Sequence, residues 1–229
     1  MINLSKNIRD LRFLFYGENL KARAMRGAVW TALGYGASQA IRLASNLILT
    51  RILFPEAFGL MAIIQVFMQG VAMFSDLGIG ASIIQNRCGD KPLFLDTAWT
   101  IQVIKGLFLF LIMAAIAGPV ASIYEAPILG YLMPVAALSA IISGFTPIKY
   151  QTANRNLLLG RLTLIEVLSQ LISVLVLVAL ALWTRSVWSL VFGGLVGSAT
   201  KLFLVYKFMD GRNSSFSWDP NSLRDIIQF

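Results

Sequence analysis

Apolar residues arrive along this chain in blocks of about twenty, separated by short stretches that concentrate proline, glycine and charge. An α-helix rising about 1.5 Å per residue needs about 20 such residues to cross a hydrocarbon layer about 30 Å thick. The pattern therefore predicts an all-α, polytopic membrane helix bundle of six transmembrane helices, over residues 28–50, 58–85, 97–117, 128–148, 163–183 and 187–208. The connections carry the expected punctuation: Pro55, then Gly89 and Pro92, then Pro119 and Pro127, an Arg/Asn-rich stretch, and Thr184 to Ser186. Pro134 and Pro147 fall inside the fourth span, where neighbouring helices can cover the carbonyls that proline frees. The first block is too long for a signal-peptide core and no small-residue cleavage site follows it, so it reads as a retained span.

Composition agrees with this class, with 57% hydrophobic residues, 13% charged and a mean hydropathy of +0.73. A lone cysteine, Cys88, and no histidine exclude an internal disulfide and argue against zinc, so no metal or cofactor is expected. The net charge of +8 would suggest nucleic acid in a soluble protein, but here the bases border the spans, and no nucleic-acid partner is expected. Of the 19 basic residues, fourteen fall on one side of the predicted bundle, two (Arg51 and Arg185) on the other, and three within spans. By the positive-inside rule both ends are cytoplasmic. The chain then divides into a basic segment, 1–27, a six-helix bundle, 28–208, and a cytoplasmic linker, 209–229, leading toward a seventh helix. In the first segment Leu4, Ile8, Leu11 and Phe15 have the spacing of a short helix lying on an anionic membrane surface; a solvated tail is the alternative.

Polar residues inside the spans carry the candidate chemistry. An ionised side chain near the middle of a membrane helix costs roughly 2.5–3.5 kcal/mol, so each needs a partner, an aqueous cavity or a route to the interface. Arg42 lies deep in the first span and shares one helical face with Tyr35, Ser38, Gln39, Ser45 and Asn46. The second span adds Gln65, Gln69 and Asp76, the third Gln102 and Lys105, the fifth Glu166, Gln170 and Ser173, and the sixth Lys201. These residues outline a polar interior. On one reading they neutralise one another, Arg42 with Asp76 for example, and only join helices. On the other, Arg42, Gln39, Asn46, Lys105 and Lys201 bind an anionic substrate, since a guanidinium offers paired donors to phosphate oxygens, while Asp76 and Glu166 serve ion coupling or charge pairing. Gly193 and Gly197 form a small-xxx-small pair suited to helix packing. No nucleophile with a histidine base, phosphate-cradling glycine loop or acidic metal cluster is visible, so a transporter is expected in preference to an enzyme.

Several stretches together resemble bacterial polysaccharide and oligosaccharide flippases of the O-antigen type: LILTRILFPEAFGLMAIIQVF from Leu47, FSDLGIGASIIQ from Phe74, DTAWTIQVIKG from Asp96, LLLGRLTLIEVLSQLIS from Leu157, VWSLVFGGLVG from Val187, and the final SLRDIIQF. These flippases belong to the multidrug/oligosaccharidyl-lipid/polysaccharide exporter superfamily. The resemblance implies a bacterial inner-membrane protein that moves an undecaprenyl-diphosphate-linked oligosaccharide to the outer leaflet by alternating access, in some members driven by a proton or sodium gradient. It implies a cationic cavity for the diphosphate, which Arg42, Lys105 and Lys201 match by location and chemistry. Such proteins usually carry two six-helix halves, so this chain corresponds to an amino-terminal half, expected to work with a carboxy-terminal half or a second copy. Membrane lipids, and a polysaccharide polymerase with its glycosyltransferases, are the further expected partners. A cation-drug exporter of the same superfamily and a non-transporting membrane scaffold are the alternatives.

Overall fold

The computed structural model describes residues 20–74, 83, 91–220 and 222–223, and every regular element among them is an α-helix. In chain order these are α1 (Leu20–Ile52), α2 (Pro55–Phe74), α3 (Pro92–Ile123), α4 (Leu129–Gly144), α5 (Lys149–Arg155), α6 (Leu159–Thr184) and α7 (Trp188–Phe208). The surface-helix expectation for residues 4–15 falls outside the described residues, as do Asp76 and the end of the predicted linker.

Helices α2, α3, α6 and α7 are each long and apolar enough to cross a membrane, and α4 with α5 forms a bent pair that brings the number to five. The stretch expected as the first span lies wholly within α1, but its basic residues and polar face leave that helix too polar to qualify on length and composition alone. Two boundaries differ from the sequence reading. Helix α3 begins at Pro92, where the missing N–H costs nothing, and continues through Pro119 to Ile123, well past the predicted end of its span. The fourth span is broken: α4 stops at Gly144 and α5 leaves at 63°. Pro147 disfavours helix at the residue before it, and the carbonyls of Ser143, which also takes the Thr146 N–H, Gly144 and Thr146 accept from the Gln102 amide at 3.3, 3.1 and 3.1 Å. A polar residue in the third span thereby stabilises the break in the fourth.

Small residues set the helix spacing. Helices α1 and α6 run parallel, with Gly27 against Leu159, Gly34 against Thr163, and the Gln170 amide donating to the Ser38 carbonyl at 3.0 Å. The turn from α6 to α7 takes three residues because Arg185 adopts the left-handed conformation (φ 47°) and donates its N–H to the Ala181 carbonyl at 2.9 Å. Beyond the turn, Gly193 abuts Leu177 and Gly197 abuts Ser173, and the Ser173 hydroxyl donates to the Gly193 carbonyl at 2.7 Å. The glycine pair is a packing surface, as its spacing suggests. Helix α7 also packs on α4 and α4 on α3, while α2 leans on α3 and α4. The main apolar core, including Leu49, Leu132, Met133 and Ala181, surrounds the α1–α2 and α6–α7 turns.

At the opposite end, where the basic residues gather, the chain after α7 forms a strap. Asp96, 5% exposed, accepts from the Arg212 guanidinium at 2.8 Å, the Ser215 N–H at 3.1 Å and the Ser215 hydroxyl at 3.0 Å. Thr100 accepts from the Ser217 N–H at 3.1 Å, and Trp99 stacks obliquely on Phe216 with ring centroids 4.8 Å apart. Buried Lys149 donates to the Tyr206 carbonyl at 3.0 Å and to Asn213 Oδ1 at 3.4 Å. Through these contacts the described part of the expected 209–229 linker is tied to α3, α5 and α7.

Two outcomes follow. A Cβ at Gly106 would lie 2.6 Å from the Ala140 carbonyl oxygen, a backbone atom that cannot swing aside, whereas one at Gly36 would meet nothing within 4 Å. Gly106→Ala should cost about 1–3 kcal/mol and Gly36→Ala should be neutral or stabilising by about 0.5–1 kcal/mol, as read by thermal unfolding in detergent. Asp96→Ala removes the acceptor that holds the strap, worth about 1–3 kcal/mol, so tryptic cleavage after Arg212 should quicken by roughly tenfold or more. An unchanged cleavage rate would mean that the strap does not depend on Asp96.

Candidate functional site

Helices α1 and α2 are joined through Leu53 and Phe54 but then diverge, α1 packing on α6 and α2 on α3 and α4. The divergence leaves a crevice of about 580 Å³ whose polar wall is Arg42, Ser45 and Asn46 from α1, Gln65 from α2, Ser173 from α6 and the backbone at Gly194 of α7. Phe58 and Leu177 supply apolar wall, and no carboxylate is among the described lining residues. Arg42 stands ten residues from the end of α1, about 15 Å along its axis, too deep for easy snorkelling to the interface.

Arg42, Ser45, Asn46 and Leu49 all face this space because residues three and four apart share a helical face. Ser45 and Leu49 are buried, while Arg42 and Asn46 stand open to the cavity. Among the described residues the Arg42 guanidinium has no ion-pair or hydrogen-bond partner. Gln39, one turn back, is occupied locally, its amide donating to the Tyr35 hydroxyl at 3.3 Å.

A second cavity, of about 470 Å³, adjoins the first and shares Met61, Gln65, Leu190 and Gly194 with it. It adds Gln69 of α2, Ser139 of α4 and Ser198 of α7 to an otherwise apolar lining. Gly194 and Ser198, like Gln65 and Gln69, are four residues apart, so each helix turns one polar face to the joint space.

The other predicted site residues are elsewhere. Lys201 pairs with Glu166 at 3.3 Å, on the side of the bundle where Tyr150 of α5 also meets them. The same Glu166 oxygen accepts from the Tyr150 hydroxyl, and the Lys201 ammonium lies 4.6 Å above the Tyr150 ring. Of the two roles considered for Glu166, charge pairing is thus present in the structure. Lys201 lines a separate crevice of about 240 Å³ with Gln102, Tyr150 and Gln151. Lys105 lies on α3, three residues beyond Gln102, and does not line either half of the Arg42 crevice. The three cations expected to act together are therefore divided, with Arg42 in one space and Lys201 in another. Sequence reasoning missed the Asp96–Arg212 clamp and the role of Tyr150. Asp96 carried a usable signal, an acid at the entrance of an apolar block on the side otherwise rich in bases.

Residues 48–229 match a family model described as polysaccharide biosynthesis protein. A protein described as an uncharacterized membrane protein in the cps region of Klebsiella pneumoniae is 25% identical over 211 residues, covering 91% of this chain and 42% of that protein. The succinoglycan biosynthesis transport protein ExoT of Rhizobium meliloti (strain 1021) is 23% identical over 186 residues, covering 79% of this chain and 36% of that protein. The chain thus spans about two fifths of the length of the curated relatives it matches. No solved structure matches it. With its apolar spanning helices and a family match over most of its length, this chain belongs to the polysaccharide biosynthesis protein family and is a multi-pass membrane protein.

Proposed function

We propose that this chain forms one lobe of a flippase that carries an undecaprenyl-diphosphate-linked oligosaccharide from the cytoplasmic to the outer leaflet of a bacterial inner membrane. In this reading α1 and the bent α4–α5 pair complete a set of six spans, and the basic end of the bundle faces the cytoplasm. The observation that carries the proposal is the Arg42 guanidinium, unpartnered among the described residues, in a crevice whose described lining holds no carboxylate. A guanidinium with no acid beside it among the described lining residues is matched by an anion with paired oxygens, which a diphosphate provides. Asn46, one turn along α1, supplies an uncharged donor beside it.

Lys201, neutralised by Glu166, is left a supporting role at the basic end, where it and Lys105 attract anionic head groups before they enter. The second lobe comes from a carboxy-terminal half or another copy, and movement is coupled to a proton or sodium gradient. A cation-drug exporter would need an acid in the same crevice, and none of its described lining residues is one.

Complementation of a flippase-deficient bacterium, with surface polysaccharide measured, tests this reading. Arg42→Ala should reduce restored polysaccharide by about tenfold or more, the loss expected from one charge-assisted contact of about 1.5–3 kcal/mol. Arg42→Lys should fall between, keeping the charge but losing the paired donors. Full restoration by Arg42→Ala at equal membrane abundance would remove Arg42 from the mechanism.

A further inference from the structure

The joint crevice is electrostatically uneven. Among the described lining residues its first part has one fixed charge, Arg42, and its second part has none: the polar groups there are the Gln69 amide and the Ser139 and Ser198 hydroxyls, with the Gln65 amide at the boundary. Both serines already donate within their own helices, Ser139 to the Ala136 carbonyl at 2.6 Å and Ser198 to the Gly194 carbonyl at 3.2 Å. Each therefore faces the cavity as an acceptor. Among the described residues neither Gln65 nor Gln69 has a hydrogen-bond partner, so two amides, each with donors and an acceptor, remain available. Met61, Met68, Ile64 and Leu195 form the remaining surface, soft and apolar.

Amides and acceptor hydroxyls set between apolar patches are matched by a ligand with many hydroxyl groups and C–H faces and no net charge. An anionic group would find no cation among the described residues of this part, and a purely hydrocarbon ligand would leave the two amides unpaired, at about 1–3 kcal/mol each. The volume of about 470 Å³ is within the roughly 300–1,000 Å³ usual for ligand pockets.

We infer that the crevice is divided into two subsites, with Arg42 and Asn46 holding the diphosphate, and Gln65, Gln69, Ser139 and Ser198 selecting uncharged sugar residues joined to it. This inference rests on the flippase reading and deepens it by naming the sugar class. Gly194 at the boundary keeps the two parts continuous, since a Cβ there would project into open space shared by both.

Binding to the purified full-length protein in detergent separates the two claims. The probes are undecaprenyl diphosphate without sugar and the same lipid bearing a neutral tetrasaccharide. The tetrasaccharide should bind the unaltered protein at least tenfold more tightly. Gln69→Leu, on an open wall where folding is not at stake, should abolish that advantage and leave affinity for the bare diphosphate unchanged; Ser139→Ala should act in the same direction more weakly. Arg42→Ala should weaken both probes by a similar factor. A Gln69→Leu protein that retains the sugar advantage, or loses affinity for both probes equally, overturns the subsite division while the flippase reading stands. A tetrasaccharide that adds no affinity overturns it too. If Arg42→Ala changes neither probe, the diphosphate reading fails instead.

Discussion

A hydrogen-bonding or charged group on a helix surrounded by hydrocarbon has to be met from within the protein, and this requirement organises the bundle. Most of the polar residues in the spans meet it in pairs. Gln102 covers the carbonyls where α4 ends, Gln170 reaches the Ser38 carbonyl, Ser173 reaches the Gly193 carbonyl, and Glu166 takes Lys201. Each pair joins neighbouring helices or elements, so polar satisfaction and helix association are one event. Arg42 is treated differently. Its face of α1 turns to a cavity, which the protein creates by holding α1 against α6 and sending α2 to α3 and α4.

The cavity depends on features far from Arg42. Glycines let α1, α6 and α7 approach closely, with Gly34, Gly193 and Gly197 each facing a side chain that a Cβ would strike. The same close packing fixes Ser173 and Gly194 as wall, because α6 and α7 cannot drift apart without breaking the Ser173 to Gly193 bond. Gly106 and Gly144 bring α3 and α4 together, and the break after Gly144 redirects the chain into α5, where Lys149 and Tyr150 contact α7 and the strap. Satisfied polar pairs thus form the basic end, and the open polar surface is left to the part of the bundle nearer the α1–α2 turn.

The helices were readable because a membrane span has a length and composition that few other structures share, and the polar face of α1 because period 3.6 makes a stripe visible. Arg42 and Asn46 were correctly placed on one face, and the Gly193/Gly197 pair was correctly read as packing. The grouping of Arg42 with Lys105 and Lys201 was not recoverable from spacing, since it depends on which helices are neighbours: α7 turns Lys201 toward α5 and α6, where Glu166 waits. The break in the fourth span and the strap were missed for a related reason. Pro134 and Pro147 both interrupt one apolar block, yet only the second coincides with a sharp bend, and there Gln102 on another helix meets the carbonyls at the break. Asp96 likewise finds Arg212 and Ser215 more than a hundred residues away.

The contrast between Glu166–Lys201 and Arg42 also bears on selectivity. A paired charge has spent its interaction within the fold, and a ligand must compete with the existing partner before it gains anything. An unpartnered guanidinium retains a desolvation cost of roughly 2.5–3.5 kcal/mol at membrane depth, which is relieved only by an anion or by water. On the flippase reading proposed above, a neutral glycolipid or a lipophilic cation relieves none of it, and discrimination for a diphosphate would then come from the cost that the empty site carries as well as from the contacts the filled site gains. The price is a first helix too polar to stand as a span on composition alone, and its packing against α6 through Gly27, Gly34 and Ser38 is what offsets that weakness.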